Sequence, residues 1–254
     1  NTVGRLTTDD SAKSISIKGD YAYLTVNNVL SQTNKILKVD ITDPSDPKIE
    51  EENVTLPEES FDLEKLASLT TATIWDVAVA TSDIATYAYL AVDAPESGAS
   101  DISTDITNDL VIVDISDSTN YQLLGQLQTV GTARSIAVYG DYAYLADYNN
   151  GLVSIDISNP SNPQKLSNIY TAGYPTDIVV NGNYAYLSDE KSGLVIIDIQ
   201  DINNPKVQST FRVANTANAV ALNGDIAYIA GGYSGLIIVD VTNPLQPTQL
   251  SSWC

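Results

Sequence analysis

Apolar and polar positions along this chain fall into short runs separated by turn residues, and the runs recur. In ARSIAVYGDYAYLADYNNGLVSIDISNPSNPQKLSNIY (133–170) four such runs follow one another, each rich in β-branched or aromatic residues and too short for a helix of useful length. Between the first two, YGDY, NGNY, NGDI and KGDY place Gly-Asp or Gly-Asn where a two-residue hairpin needs positive φ. The third run reads KILKVD (35–40), DLVIVD (109–114), GLVSID (151–156), GLVIID (193–198) and GLIIVD (235–240). It is apolar at successive positions, the signature of a strand covered on both faces. The fourth run is reached through DISNPSNP, whose Asn, Asp and Pro residues close a turn and stop further pairing.

Gly140, Gly182 and Gly224 open equivalent hairpins 42 residues apart, and two more copies precede them, marked by YAYL at 21–24 and 87–90. Such a unit has no room for a helical crossover, so the strands are expected to form antiparallel meanders stacked on one another. The expectation is an all-β β-propeller of five four-stranded blades, with 1–254 as a single domain. VGRLTTDDSAKS (3–14) aligns with LGQLQTVGTARS (124–135), a fourth-run sequence, and TQLSSW (248–253) is another. Six fourth strands for five blades leave three arrangements: an extra edge strand on the last blade, an incomplete sixth blade, or a six-bladed ring completed by a partner. The first is the one expected.

The paired GDYAYL and LVIVD motifs, the latter standing verbatim at 110–114, resemble the LVIVD-repeat family over roughly residues 14–253. The resemblance implies an exported or cell-surface propeller and implies no particular activity.

Composition narrows the partners. The formal net charge is −20, with the acid concentrated in the first half of the chain. That disfavours nucleic acid and anionic membrane surfaces. No apolar stretch is long enough for a membrane span. His is absent and Cys254 is the single cysteine, which excludes imidazole ligands, Ser-His-Asp triads and an internal disulfide. NTVGRLTTDD shows no signal-peptide pattern, and a mature extracellular or cell-surface chain without its leader is expected.

Comparison among the copies separates residues that serve the repeat from those that do not. Asp40, Asp114, Asp156, Asp198 and Asp240 end the third run in every copy and are expected to cap their own turns. The recurring Tyr pairs, Tyr142 with Tyr144 and Tyr184 with Tyr186, are expected to pack between blades. Two interruptions break the repeat: residues 48–72, where FDLEKLASL suggests a short helix capped by Ser60, and residues 93–108. In an up-and-down blade the fourth-to-first and second-to-third connections leave on the same side, so both insertions are expected on one face. That face also carries the non-repeating residue before each innermost strand, Lys13, Trp75, Arg134, Thr176 and Asn218, and the loop residues Tyr148, Glu190, Lys191 and Tyr233. Lys13, Trp75, Arg134, Tyr148, Glu190 and Tyr233 are the candidate partner-binding residues. Asp93, Glu96, Asp101, Asp105 and Asp109 offer the hard oxygen ligands that Ca²⁺ takes, without EF-hand spacing. A solvated acidic loop is the plainer expectation for them.

Three functions follow as expectations. The first is a non-catalytic binding or structural module presenting the inserted face to a protein or glycan. The second is a self-assembling surface or filament component, a homo-oligomer exchanging terminal strands. The third is a glycoside hydrolase using Asp76 and Asp177, which replace the small residues Ser14, Ser135 and Ala219 of the other copies.

Overall fold

The computed structural model describes residues 10–18, 20–28, 33–52, 73–81, 85–93, 109–117, 119–129 and 131–253; for some strand residues only the backbone is described. They form twenty strands in five sheets, each sheet an antiparallel meander of four strands in chain order. The first holds β1 (Asp10–Lys18), β2 (Tyr21–Asn28), β3 (Thr33–Asp40) and β4 (Lys48–Glu52). The second holds β5 (Thr73–Thr81), β6 (Thr86–Asp93), β7 (Leu110–Asp114) and β8 (Gln122–Leu127). The third holds β9 (Ala133–Tyr139), β10 (Tyr142–Asp147), β11 (Gly151–Asp156) and β12 (Gln164–Ile169). The fourth holds β13 (Pro175–Asn181), β14 (Tyr184–Asp189), β15 (Gly193–Asp198) and β16 (Lys206–Phe211), and the fifth β17 (Ala219–Asn223), β18 (Ile226–Ala230), β19 (Leu236–Asp240) and β20 (Thr248–Trp253). Among the described residues there is no helix, hence none long and apolar enough to cross a membrane.

Residues 48–52, counted with the first insertion in the sequence, are the fourth strand of the first sheet. Their backbone pairs with β3 although the Glu run carries none of the apolar residues that mark other fourth strands. The helix expected at FDLEKLASL lies outside the described residues, as do residues 1–9 and most of the second insertion.

Turn chemistry fixes the meanders. Gly140, Gly182 and Gly224 sit at φ of 59°, 56° and 57°, the first central position of hairpins closed by Tyr139 with Tyr142, Asn181 with Tyr184 and Asn223 with Ile226. The Asp ending a third strand caps its own turn: the backbone N–H groups of Thr42, Ser116, Ser158 and Thr242 donate to Asp40, Asp114, Asp156 and Asp240 at 2.9 Å each. The hydroxyls of Ser158 and Thr242, with those N–H groups, hold the carboxyls of Asp156 and Asp240 below the usual range.

The sheets group into two compact units, one of the first, fourth and fifth sheets, the other of the second and third together with residues 200–205. In the first unit both faces of the fifth sheet are covered. Tyr228, Ala230, Leu236 and Ile238 pack with Ala12, Ala22 and Val39 of the first sheet. Their strand neighbours Ala227, Ile229, Ile237 and Val239 point the other way, onto Tyr186, Leu194 and Ile196 of the fourth. Opposite coverage on alternate residues is why β19 is apolar at every position before Asp240. In the second unit Tyr89, Ala91, Leu110 and Ile112 pack with Ile136, Leu145, Val153 and Ile155. The second-strand tyrosines Tyr89, Tyr144, Tyr186 and Tyr228 are buried, as blade packing requires. Burial pushes their phenols up, that of Tyr144 to about 12 with help from Tyr142 and Tyr139.

A second device joins neighbouring sheets at their outer strands. Ser209 Oγ donates to the Pro244 carbonyl at 2.6 Å, fourth sheet to fifth, and Ser251 Oγ to the Pro44 carbonyl at 2.8 Å, fifth sheet to first. In the second unit Gly125 takes the equivalent place, where a Cβ would lie 2.2 Å from the Pro160 carbonyl oxygen.

Candidate functional site

Of the five non-repeating residues expected just before the first strand of each sheet, only Asn218 lies there; Lys13, Trp75, Arg134 and Thr176 lie inside β1, β5, β9 and β13. Pairing in the first four sheets slips by one residue between Ala12 and Ser14, between Ile74 and Asp76, opposite the Ala146–Asp147 step, and between Pro175 and Asp177. Lys13, Trp75, Arg134 and Thr176 are therefore bulge residues, left out of the ladder. Two of the five non-repeating positions turn to the neighbouring sheet. Thr176 Oγ1 donates to the Ala217 carbonyl at 3.2 Å, and Asn218 Nδ2 to the Ala12 carbonyl at 2.6 Å.

The second and third sheets do something different at this position. The guanidinium carbon of Arg134 lies 3.8 Å from the centroid of the Trp75 ring and 5.1 Å from that of Tyr148. Both are cation–π distances. Trp75 remains 44% exposed. Arg134 Nε is buried with no hydrogen-bond partner, and none of the described carboxylates pairs with the guanidinium. Three of the six expected partner-binding residues thus meet in one place.

The other three lie in the first unit. Ala12 N–H donates to the Gly232 carbonyl at 3.0 Å, so Lys13 and Tyr233 each follow a residue of that bridge; Tyr233 is exposed. Glu190 N–H donates to the Tyr174 carbonyl at 3.0 Å, and Lys191 Nζ stands 4.0 Å from the Tyr174 ring centroid.

Asp76 and Asp177 are tied into the backbone. Asp76 Oδ2 accepts from Ser135 Oγ at 2.7 Å and from Ile136 N–H at 2.9 Å, while its Oδ1 accepts from Val77 N–H. Asp177 repeats this, with Oδ2 on Val220 N–H at 2.8 Å and Oδ1 on Ile178 N–H. Each latches its sheet to the first strand of the next, which explains why both stand at the same place in their copies.

Of the acidic candidates for calcium, Glu96, Asp101 and Asp105 lie outside the described residues, and Asp93 is described by its backbone alone, at the end of β6. Asp109 is buried and accepts from the N–H and hydroxyl of Thr129. That hydroxyl also touches Asp147 at 2.7 Å. Among the described residues no group of three or more such side chains gathers as a metal site requires.

Two buried acids were missed in the sequence. Asp147 and Asp189 are 0% exposed. Asp147 accepts from the backbone N–H groups of Thr132, Asn149 and Asn150 and from the Asn150 amide, and Asp189 from those of Lys191 and Ser192 and from Thr171 Oγ1. These carboxylates hold the loops that carry Tyr148 and Glu190. The signal was present as Thr-x-Gly followed by Asp-x-x-Asn/Ser, in two copies 42 residues apart.

Five four-stranded antiparallel meanders that clamp their neighbours at inner and outer strands define the class: a five-bladed β-propeller. The chain belongs to the LVIVD-repeat family, whose repeat matches residues 10–55, 104–129, 130–171, 172–212 and 214–253. These matches fall one to a sheet, and that to the second begins only at 104, after β5 and β6. No curated protein matches the chain.

Proposed function

We propose that this protein is a non-catalytic, exported or cell-surface binding module that engages a protein or glycan through the side of the sheets where its insertions leave. The observation that carries the reading is the Arg134 stack, an arginine within cation–π distance of both Trp75 and Tyr148 with the indole still exposed. Within the second sheet Thr73 pairs with Asp93, so Trp75 and the second insertion belong to the same end of that sheet. A hydrolase is the weaker reading, because the oxygens of Asp76 and Asp177 are engaged by backbone donors. Binding of purified protein to an array of immobilised glycans and matrix proteins tests the proposal. Wild type is expected to be retained, and Trp75→Ala and a deletion of 95–107 to lose retention; equal retention of all three refutes it.

Self-assembly by strand exchange is favoured by a separate observation. The fourth place in the fifth sheet is filled by β20, while residues 3–14 carry a fourth-strand sequence of their own. Removal of residues 1–9 is then expected to leave monomers in analytical ultracentrifugation, and assembly persisting without them overturns this version.

A further inference from the structure

The Arg134 stack has a donor problem that its relatives do not share. Thr176 and Asn218 each hand a proton to a neighbouring carbonyl. Arg134 instead faces two aromatic rings, which attract its charge but take up little of its hydrogen-bonding capacity. A guanidinium carries five N–H donors in a planar fork, and that fork matches the two oxygens of a carboxylate. Beside it stands an indole still 44% exposed, a flat apolar platform. A planar anionic acceptor next to an apolar ring face describes an acidic sugar, whose carboxylate meets the fork while its C–H face covers the indole.

The charge of the protein restricts the ligand further. A net charge of −20 repels a long polyanion, and the acidic second insertion adjoins β6 of the same sheet as Trp75. Sparse charge on the ligand is therefore required. Resting on the binding-module reading, we infer that Trp75, Arg134 and Tyr148 form a subsite for an isolated uronic-acid residue of an otherwise neutral glycan.

The chain has two tryptophans, so in a Trp253→Phe background the emission excited at wavelengths that tyrosine does not absorb reports Trp75 alone. Methyl glucuronide is expected to change that emission saturably. Methyl glucoside, which lacks the carboxylate, and acetate, which lacks the ring, are each expected to bind at least about tenfold more weakly. Arg134→Gln is expected to weaken the glucuronide by about tenfold or more, followed by calorimetry alongside a melting curve. Arg134→Lys keeps the charge without the fork; it carries the test if the Gln variant does not fold, and is expected to recover only part of the affinity. Equal responses to glucuronide and glucoside, an acetate response matching glucuronide, no response at all, or full affinity in the folded Arg134 variants would each overturn the inference. If glucuronide fails while Trp75→Ala still abolishes array binding, the binding module stands and only its ligand class falls.

Discussion

Ser154 offers a measurement of what one buried hydroxyl costs. It lies mid-strand in β11, paired with Tyr144 on one side and Ser167 on the other. The equivalent residues of three sister strands are Ile112, Ile196 and Ile238, all fully buried against the same tyrosine. Ser154 is also fully buried, and its Oγ has no hydrogen-bond partner. An unsatisfied buried hydroxyl costs about 1–3 kcal/mol. Ser154→Ala removes that cost without adding volume and is expected to stabilise by about 1–2 kcal/mol. Ser154→Ile also restores apolar surface at about 0.8 kcal/mol per methylene, for a total gain of about 2–4 kcal/mol if the third sheet has its sisters' spacing. At about 2–4 °C per kcal/mol for a chain of this size, the melting temperature should rise by about 2–8 °C for Ala and more for Ile. Calorimetric melting with urea unfolding as a cross-check measures both. A lower melting temperature for Ser154→Ala would refute the reasoning outright, because it would mean the hydroxyl is satisfied. A gain for Ala with a loss for Ile would show that the neighbours have closed around the smaller side chain.

Gly131→Ala and Gly173→Ala should each destabilise by about 3 kcal/mol or more, since a Cβ at either would lie 1.7 Å from Oδ1 of Asp147 or Asp189. Unchanged denaturation midpoints would contradict that. Asp76→Asn must turn its NH2 onto either Val77 N–H or Ile136 N–H and is expected to cost about 2–3 kcal/mol while leaving ligand binding intact; a loss of binding without a loss of stability would assign Asp76 a functional role instead. The raised phenols of Tyr89, Tyr144, Tyr186 and Tyr228 make the folded state hold protons that the unfolded state releases above pH 10. Stability is then fully present below pH 10 and falls as pH climbs toward 12. Absorbance at about 295 nm should show these phenols ionising together with unfolding, and Tyr144→Phe should reduce the slope.

Much of the fold was legible because the repeat restates its own chemistry. Gly at the hairpins, Asp at the ends of third strands and doubly covered apolar runs each point to one structure, and each recurs. The bulges at Lys13, Trp75, Arg134 and Thr176 were not legible: an extra residue in a ladder has no composition of its own, and only its variability between copies hinted at a special place. For the same reason Asp76 and Asp177 looked like candidates for chemistry. Nothing in one copy reveals that its carboxylate reaches an N–H of the next sheet, some 40 or more residues away. The meeting of Trp75 with Arg134 was likewise expected only as membership of one face, since contact between two bulges depends on how adjacent sheets pack.

The hydroxyl link from Ser251 to Pro44 and the amide link from Asn218 to Ala12 join the last sheet to the first, which the chain itself does not connect in succession. Within the same unit the fourth and fifth sheets are also joined by the polypeptide, so those neighbours stay tethered even when side-chain contacts let go. This one has no leash. Heat or mechanical pull should therefore part this junction before that between the fourth and fifth sheets, with amide exchange at Ala12, whose N–H donates to the Gly232 carbonyl, running ahead of that in the interior strands.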